Sequence, residues 1–161
     1  MPIVSIGTCP YRGGMTAQRV PVTRNCYATA LRKASRRVSG LYDEILAPTG
    51  LRSTQFAILG ELTDGDPVTI NELAHALVLD RSGLGHSLRP LQRDGLIQLD
   101  KDPADRRNVR VTLTDEGRRS FDEASVLWRS AQGRVVAALG AGIADELRDQ
   151  LNALARDPSL E

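Results

Sequence analysis

Between Asp94 and Thr114 the hydrophobic period of this chain changes from about 3.6 residues to 2, and then back again. Leu84, Leu88 and Leu91 recur at helical spacing before the change. Leu96-Ile97-Gln98-Leu99 and Val109-Arg110-Val111-Thr112-Leu113 read as two short strands within it. After it, Phe121, Ala124, Leu127, Trp128, Ala131 and Val135 form a helical stripe again. One hairpin set among helices predicts a mainly α fold with a small antiparallel β wing.

The remaining helices are read from spacing and caps. Leu31, Ala34, Val38, Leu41 and Ile45 alternate in steps of three and four, predicting a helix over 22–47 that Pro48 and Gly50 end. It is two-sided and too long for a small core to cover. Arg32, Lys33, Arg36 and Arg37 lie off its stripe and read as a solvated face. Ser53 is the expected N-cap of a second helix with Phe56, Leu59 and Leu62 inward. After the Thr63–Pro67 turn, Thr69 and Glu72 spell a capping box, in which hydroxyl and carboxylate satisfy free N–H groups reciprocally. Ile70, Leu73, Ala74 and Leu77 are the inward face of the short helix it opens. Val78 and Leu79 make a turn, Asp80 or Ser82 caps a further helix to about Asp94, and Gly95 closes it. Thr114 caps the long helix, and after Gly140 a last one carries Ile143, Leu147, Leu151 and Leu154.

Composition narrows the function classes. The chain has 161 residues, 41% hydrophobic and 25% charged, which fits one soluble domain. The longest apolar-or-small run, Val135–Ala144, is half of the roughly 20 residues a spanning helix needs, so no membrane partner is expected. The opening MPIVSIGTCPYRGG lacks the basic region and apolar length of a signal peptide, and a cytoplasmic address is the default. Residues 1–21 show no periodicity and are expected as a flexible segment. Cys9 and Cys26 are too few for a disulfide scaffold or a four-cysteine zinc site. His75 and His86 fall on different helices without carboxylates spaced to complete a set, so no metal and no cofactor are expected. No nucleophile elbow or phosphate loop is present, and the chain does not read as an enzyme. Formal charge is only +1, so nucleic-acid binding requires local clusters. Seven basic and no acidic residues precede Asp43, and the rest is acidic on balance. Aromatic residues are 4%, against the stacking platforms of single-strand binders.

Two short helices joined by a tight turn and followed by a hairpin is the order of a winged helix-turn-helix. With its leucines anchored, the second helix presents Ser82, Gly83, Gly85, His86 and Arg89 outward. Such a helix fits the DNA major groove, where an arginine reaches guanine O6 and N7. Arg106 and Arg107 sit at the hairpin tip, placed to enter the adjacent minor groove. Ser53, in the first turn of its helix, is a candidate phosphate contact.

Three segments carry a family resemblance: LRSTQFAILGEL (51–62), TINELAHALVLDRSGLGHSLRPLQRDGLIQ (69–98) and DPADRRNVRVTLTDEG (102–117). They resemble the MarR family of bacterial transcriptional regulators over residues 24–156. The resemblance implies a homodimer, with helix 22–47 and helices 114–157 dimerising and residues 48–113 forming the winged lobe. It implies a repressor binding a palindromic double-stranded operator, with affinity modulated by a small-molecule effector or by oxidation. Within the family's Asp-x-Arg wing signature it implies that Asp105 holds Arg107, and that Arg106 and Arg110 contact the DNA backbone. Gly83 and Gly85 depart from the hydroxyl residues often found there. Each glycine costs a helix about 1 kcal/mol relative to alanine, so either the helix is loosened or close approach is gained. Some relatives sense oxidants through a cysteine of the first helix. The organic-peroxide branch's cysteine aligns with Ala28, two residues from Cys26, whose pKa the basic residues downstream are expected to lower. A redox regulator acting through Cys26 and a helical dimer binding another protein are the alternatives.

Overall fold

A computed structural model describes residues 25–103 and 105–160. The expected flexible segment 1–21, Cys9 and the expected helix start at residue 22 lie outside them. By its contacts the chain divides after Ala34. The described part of the first unit, 25–34, holds the opening turns of helix α1 (Tyr27–Leu46). From Ser35 onward follow the rest of α1, α2 (Ser53–Glu61), β1 (Val68–Thr69), α3 (Ile70–Ala76), α4 (Arg81–Arg93), β2 (Ile97–Lys101), β3 (Val109–Leu113), α5 (Asp115–Leu139) and α6 (Ala141–Ala155). A 3-10 turn, Ala47–Thr49, closes α1, and Gly50 at φ 74° reverses the chain. Among the described residues no helix is long and apolar enough to cross a membrane.

The sheet has three antiparallel strands in the order β1-β3-β2, one more than the sequence patterns indicate. β1 is only two residues long, and it exists by pairing Val68 with Val111 and Thr69 with Arg110. β2 pairs with β3 from Ile97 opposite Leu113 to Lys101 opposite Val109, so the hairpin reaches two residues beyond Leu99.

One core cluster joins α1, α2, α3, α4 and β3. Leu46, Ile58, Leu59, Leu73, Leu84, Leu91 and Val111 are fully buried in it. Phe56 stacks against Phe121 at 4.8 Å and lies 6.0 Å from Trp128, which fastens α2 to α5. The last stripe is different: Ile143, Leu147, Leu151 and Leu154 remain exposed, Ile143 by 62%. Val136 and Leu139 on α5 are exposed too.

The junction of β3 and α5 explains the run Leu113-Thr114-Asp115-Glu116-Gly117. Thr114 donates its N–H to Leu96 O at 3.1 Å and its hydroxyl to Gly95 O at 2.7 Å. The same Oγ1 accepts the Gly117 N–H at 3.0 Å as the cap of α5. A Cβ at Gly117 would lie 2.0 Å from Leu96 O, so only glycine allows the helix to sit there.

Helices α3 and α4 end in the same way. Beyond α3, Leu79 N–H bonds Ala74 O at 2.9 Å and Val78 N–H bonds His75 O at 3.2 Å. Beyond α4, Leu96 N–H bonds Leu91 O and Gly95 N–H bonds Gln92 O. This pairing requires a left-handed residue, usually glycine. Gly95 meets the need at φ 73°, whereas Val78 is held at φ 50° with its side chain 70% exposed. A left-handed conformation costs an ordinary L-residue roughly 1–2 kcal/mol, and β-branching makes it worse. Val78→Gly is therefore expected to stabilise the fold by about 1 kcal/mol after the entropy of glycine is set against it, read as a raised Tm. A lowered Tm would mean that Val78 is not strained.

Candidate nucleic-acid interface

Two separate caps prepare the recognition elements. Thr69 accepts the Glu72 N–H at 3.2 Å and gives its own N–H to Glu72 Oε2 at 2.8 Å, the expected capping box. The Thr69 N–H and then the Thr69 hydroxyl, which also donates to Glu72 Oε2 at 2.7 Å, hold the Glu72 carboxyl below its ordinary range; Arg110 nearby lowers it further. At α4 the cap is Asp80, whose Oδ1 accepts the Ser82 hydroxyl at 2.6 Å and the Gly83 N–H at 2.7 Å. The Ser82 bond and then the Gly83 bond pull the Asp80 carboxyl down. The Ser82 hydroxyl is thus engaged in the cap, on the exposed side of the helix.

With Leu84, Leu88 and Leu91 buried, α4 turns Ser82, His86 and Arg89 to solvent. Arg93 continues that stripe one turn after Arg89, and its guanidinium pairs with Asp94 at 2.8 Å. Its position seven residues after His86 marks it, though sequence reading passed over it. Gly83 and Gly85 stand apart from each other. A Cβ at Gly83 would meet the Asp80 carboxylate at 3.2 Å, whereas nothing lies within 4 Å of one at Gly85. The helix is continuous from Arg81 to Arg93 across both glycines and Pro90.

Ser53 does not cap α2. It is the first residue of the helix, Arg52 precedes it as N-cap, and both the Ser53 N–H and its hydroxyl donate to Asp43 Oδ1 at 2.7 Å. The hydroxyl therefore ties α2 to the end of α1. On either side of it, Arg52 and Thr54 are exposed. These two line a cleft of about 440 Å³ together with His86, Ser87 and Arg93, so the mouth of α2 and the outward face of α4 share one concavity.

The wing presents its arginines on a shaped turn. Asp105 accepts the backbone N–H of Arg107 at 3.0 Å, and its carbonyl accepts the Asn108 N–H at 2.9 Å. Asp105 thus holds Arg107 by its backbone rather than by its guanidinium. Arg106 and Arg107 are exposed, and neither guanidinium has a hydrogen bond or ion pair among the described residues. Arg110 is half-exposed at the root of the wing. Its Nε meets Asp102 Oδ2 at 2.9 Å, and its side chain is 37% exposed.

Cys26 lies in the N-terminal unit, immediately before α1, half-buried and with a free thiol. Hydrogen bonds from the Thr29 hydroxyl and then the Thr29 backbone lower its pKa below the ordinary thiol value, with Ala28 adding to them. The downstream arginines, expected to do this, are not the cause. Among the described residues no cluster of three His, Cys, Asp or Glu side chains is arranged to hold a metal.

The family model described as MarR family matches residues 49–108, which span α2 to the wing. The transcriptional repressor NicR of Pseudomonas putida is 32% identical over 112 residues, covering 70% of this chain and 71% of NicR. Among solved structures, M. tuberculosis MosR in complex with DNA is similar at TM-score 0.73 and 32% identity, over 81% of this chain and 94% of MosR. CouR from Rhodococcus jostii RHA1, bound to p-coumaroyl-CoA, is similar at TM-score 0.72 and 25% identity, over 84% of this chain and 96% of CouR. The helix pair, the capped α4, the braced wing and these likenesses agree: the chain belongs to the MarR family of transcriptional regulators.

Proposed function

We propose that this protein is a cytoplasmic homodimeric repressor that binds a palindromic DNA operator and releases it on binding a small-molecule effector. The observation that carries the reading is the wing tip. Two arginines without hydrogen-bond or ion-pair partners among the described residues stand on a turn that Asp105 holds in shape, and α4 presents His86 and Arg89 to solvent. Charged groups left unpaired on a structured turn bring no packing benefit, and they match the phosphate-lined minor groove. His86 and Arg89 take the major groove, Arg106 takes phosphates, and Arg52 with Thr54 takes the flanking backbone in place of Ser53. Gly85, with open space at its missing Cβ, permits close approach of α4 to the sugar-phosphate chain. The likeness to MosR seen with DNA and to CouR seen with p-coumaroyl-CoA supports both halves of the reading.

Duplexes selected by the purified protein from a random pool are expected to converge on an inverted repeat. Arg107→Ala should cost about 1–3 kcal/mol of specific binding. Affinity should fall with salt at a log–log slope of about −0.9 per phosphate neutralised. No enrichment, together with a flat salt response, would favour the protein-binding alternative.

The dimer rests on the exposed apolar residues of α5 and α6. Ile143, Leu147 and Leu151 recur every four residues on one side of α6, a stripe that a second copy of the chain covers. Leu147→Glu with Leu151→Glu is expected to give a folded monomer by analytical ultracentrifugation and to lose cooperative binding to both half-sites. Such half-sites lie about 34–36 Å apart, a spacing that a lone lobe does not bridge. A dimer that survives both changes would place the interface elsewhere.

Oxidation is the second reading of the signal, favoured by the lowered pKa of the Cys26 thiol. Peroxide treatment separates the two: release of DNA by wild type but not by Cys26→Ser makes the thiol the trigger, and equal behaviour of both proteins rejects it.

A further inference from the structure

Asp102 is the one buried charged residue among the described residues, 5% exposed at the root of the wing. Its carboxylate meets Arg110 Nε at 2.9 Å across the hairpin, and its N–H donates to Asn108 O at 3.0 Å. The ion pair and the backbone hydrogen bond both span the neck of the loop that carries Arg106 and Arg107. The pair is also tied to the helix-turn-helix. Arg110 stands opposite Thr69 in the β1–β3 register, Thr69 is the cap of α3, and Glu72 of that cap feels the charges of both Arg110 and Asp102.

Asp102 is the buried member of the pair and Arg110 is half-exposed, so the pair is a poor source of stability: desolvating the carboxylate offsets much of the attraction. What it can do is select one geometry, since a displaced arrangement strands the Asp102 carboxylate away from water without its partner. A two-stranded neck without that restraint is free to twist, and twisting it swings the guanidiniums at its tip. Asp105 shapes the tip itself but does not fix the direction in which the tip points.

We propose that Asp102 is a positioning residue for DNA recognition: through Arg110 and Asn108 it holds the neck of the wing so that Arg107 enters the minor groove at one angle. The inference rests on the wing reading above. It separates two carboxylates three residues apart, Asp105 setting the local turn and Asp102 setting the aim.

The test is a double-mutant cycle of Asp102→Asn and Arg107→Ala. It is measured by anisotropy on a duplex that wild type selects from the random pool, with thermal melts beside it. Asp102→Asn is expected to weaken binding about tenfold in the wild-type background and not at all in the Arg107→Ala background, because coupled sites are non-additive. The apolar pair Asp102→Leu with Arg110→Met is expected to return Tm to near the wild-type value while affinity stays low. Equal losses in both backgrounds, or an apolar pair that restores affinity along with Tm, would overturn the proposal by showing that Asp102 serves the fold alone. If Asp102→Asn binds normally while Arg107→Ala does not, the positioning role fails and the wing reading stands. If Arg107→Ala itself binds normally, the wing reading fails, and the role of Asp102 goes with it.

Discussion

The lobe depends on the absence of one carbon atom. Gly117 lies so close to the Leu96 carbonyl that no side chain fits, and this closeness lets Thr114 bond Gly95 and Leu96 while capping α5. Four things meet at that point: the end of α4, the start of β2, the end of β3 and the first turn of α5. A recognition helix, a wing and a long helix are thereby joined without a flexible linker. Packing adds a second fastening further along α5, where Phe121 and Trp128 stack on Phe56 of α2. Well-packed interiors transmit displacement rather than absorb it. In the proposed regulation, a movement of α5 is passed through these contacts to α4 and the wing together.

That rigidity gives the proposed regulation a physical route. In the proposed dimer the exposed residues of α5 and α6 meet a second copy, so the angle between copies sets the distance between the two α4 helices. An effector needs only to prefer one angle over another, since a ligand shifts an equilibrium by its differential affinity for the two states. Effectors of quite different chemistry are compatible with one such scaffold, and the recognition residues need not touch any of them.

What was legible in the sequence were features that local physics alone determines. The Thr69–Glu72 box, the Asp80 cap, the leucine spacing of α4 and the period change at the hairpin each involve residues within one or two turns of each other. What was missed depends on distant partners. β1 is two residues long and is a strand only because β3 lies beside it, so no local pattern announces it. Ser53 reads as a cap until Asp43, ten residues earlier, claims both its donors. Arg110 looks like any exposed strand arginine until the hairpin closes and brings Asp102 to it. The α6 stripe is legible as apolar, yet a sequence does not say whether the chain's own core or another copy will cover it.

The two glycines of α4 show why such distinctions bear on function. In sequence they are a single oddity, two helix-weakening residues where hydroxyls are common. In the fold they divide. Gly83 answers to its own helix, because a side chain there would crowd the carboxylate that caps it. Gly85 answers to nothing among the described residues: a Cβ there would meet open space, on a helix that is continuous across that position. A residue that weakens its own element and gains nothing from its neighbours points to a requirement outside the chain. On a helix that carries His86 and Arg89 on its exposed face, the proposed operator supplies that requirement, since removing one methyl group lets two backbones come closer together.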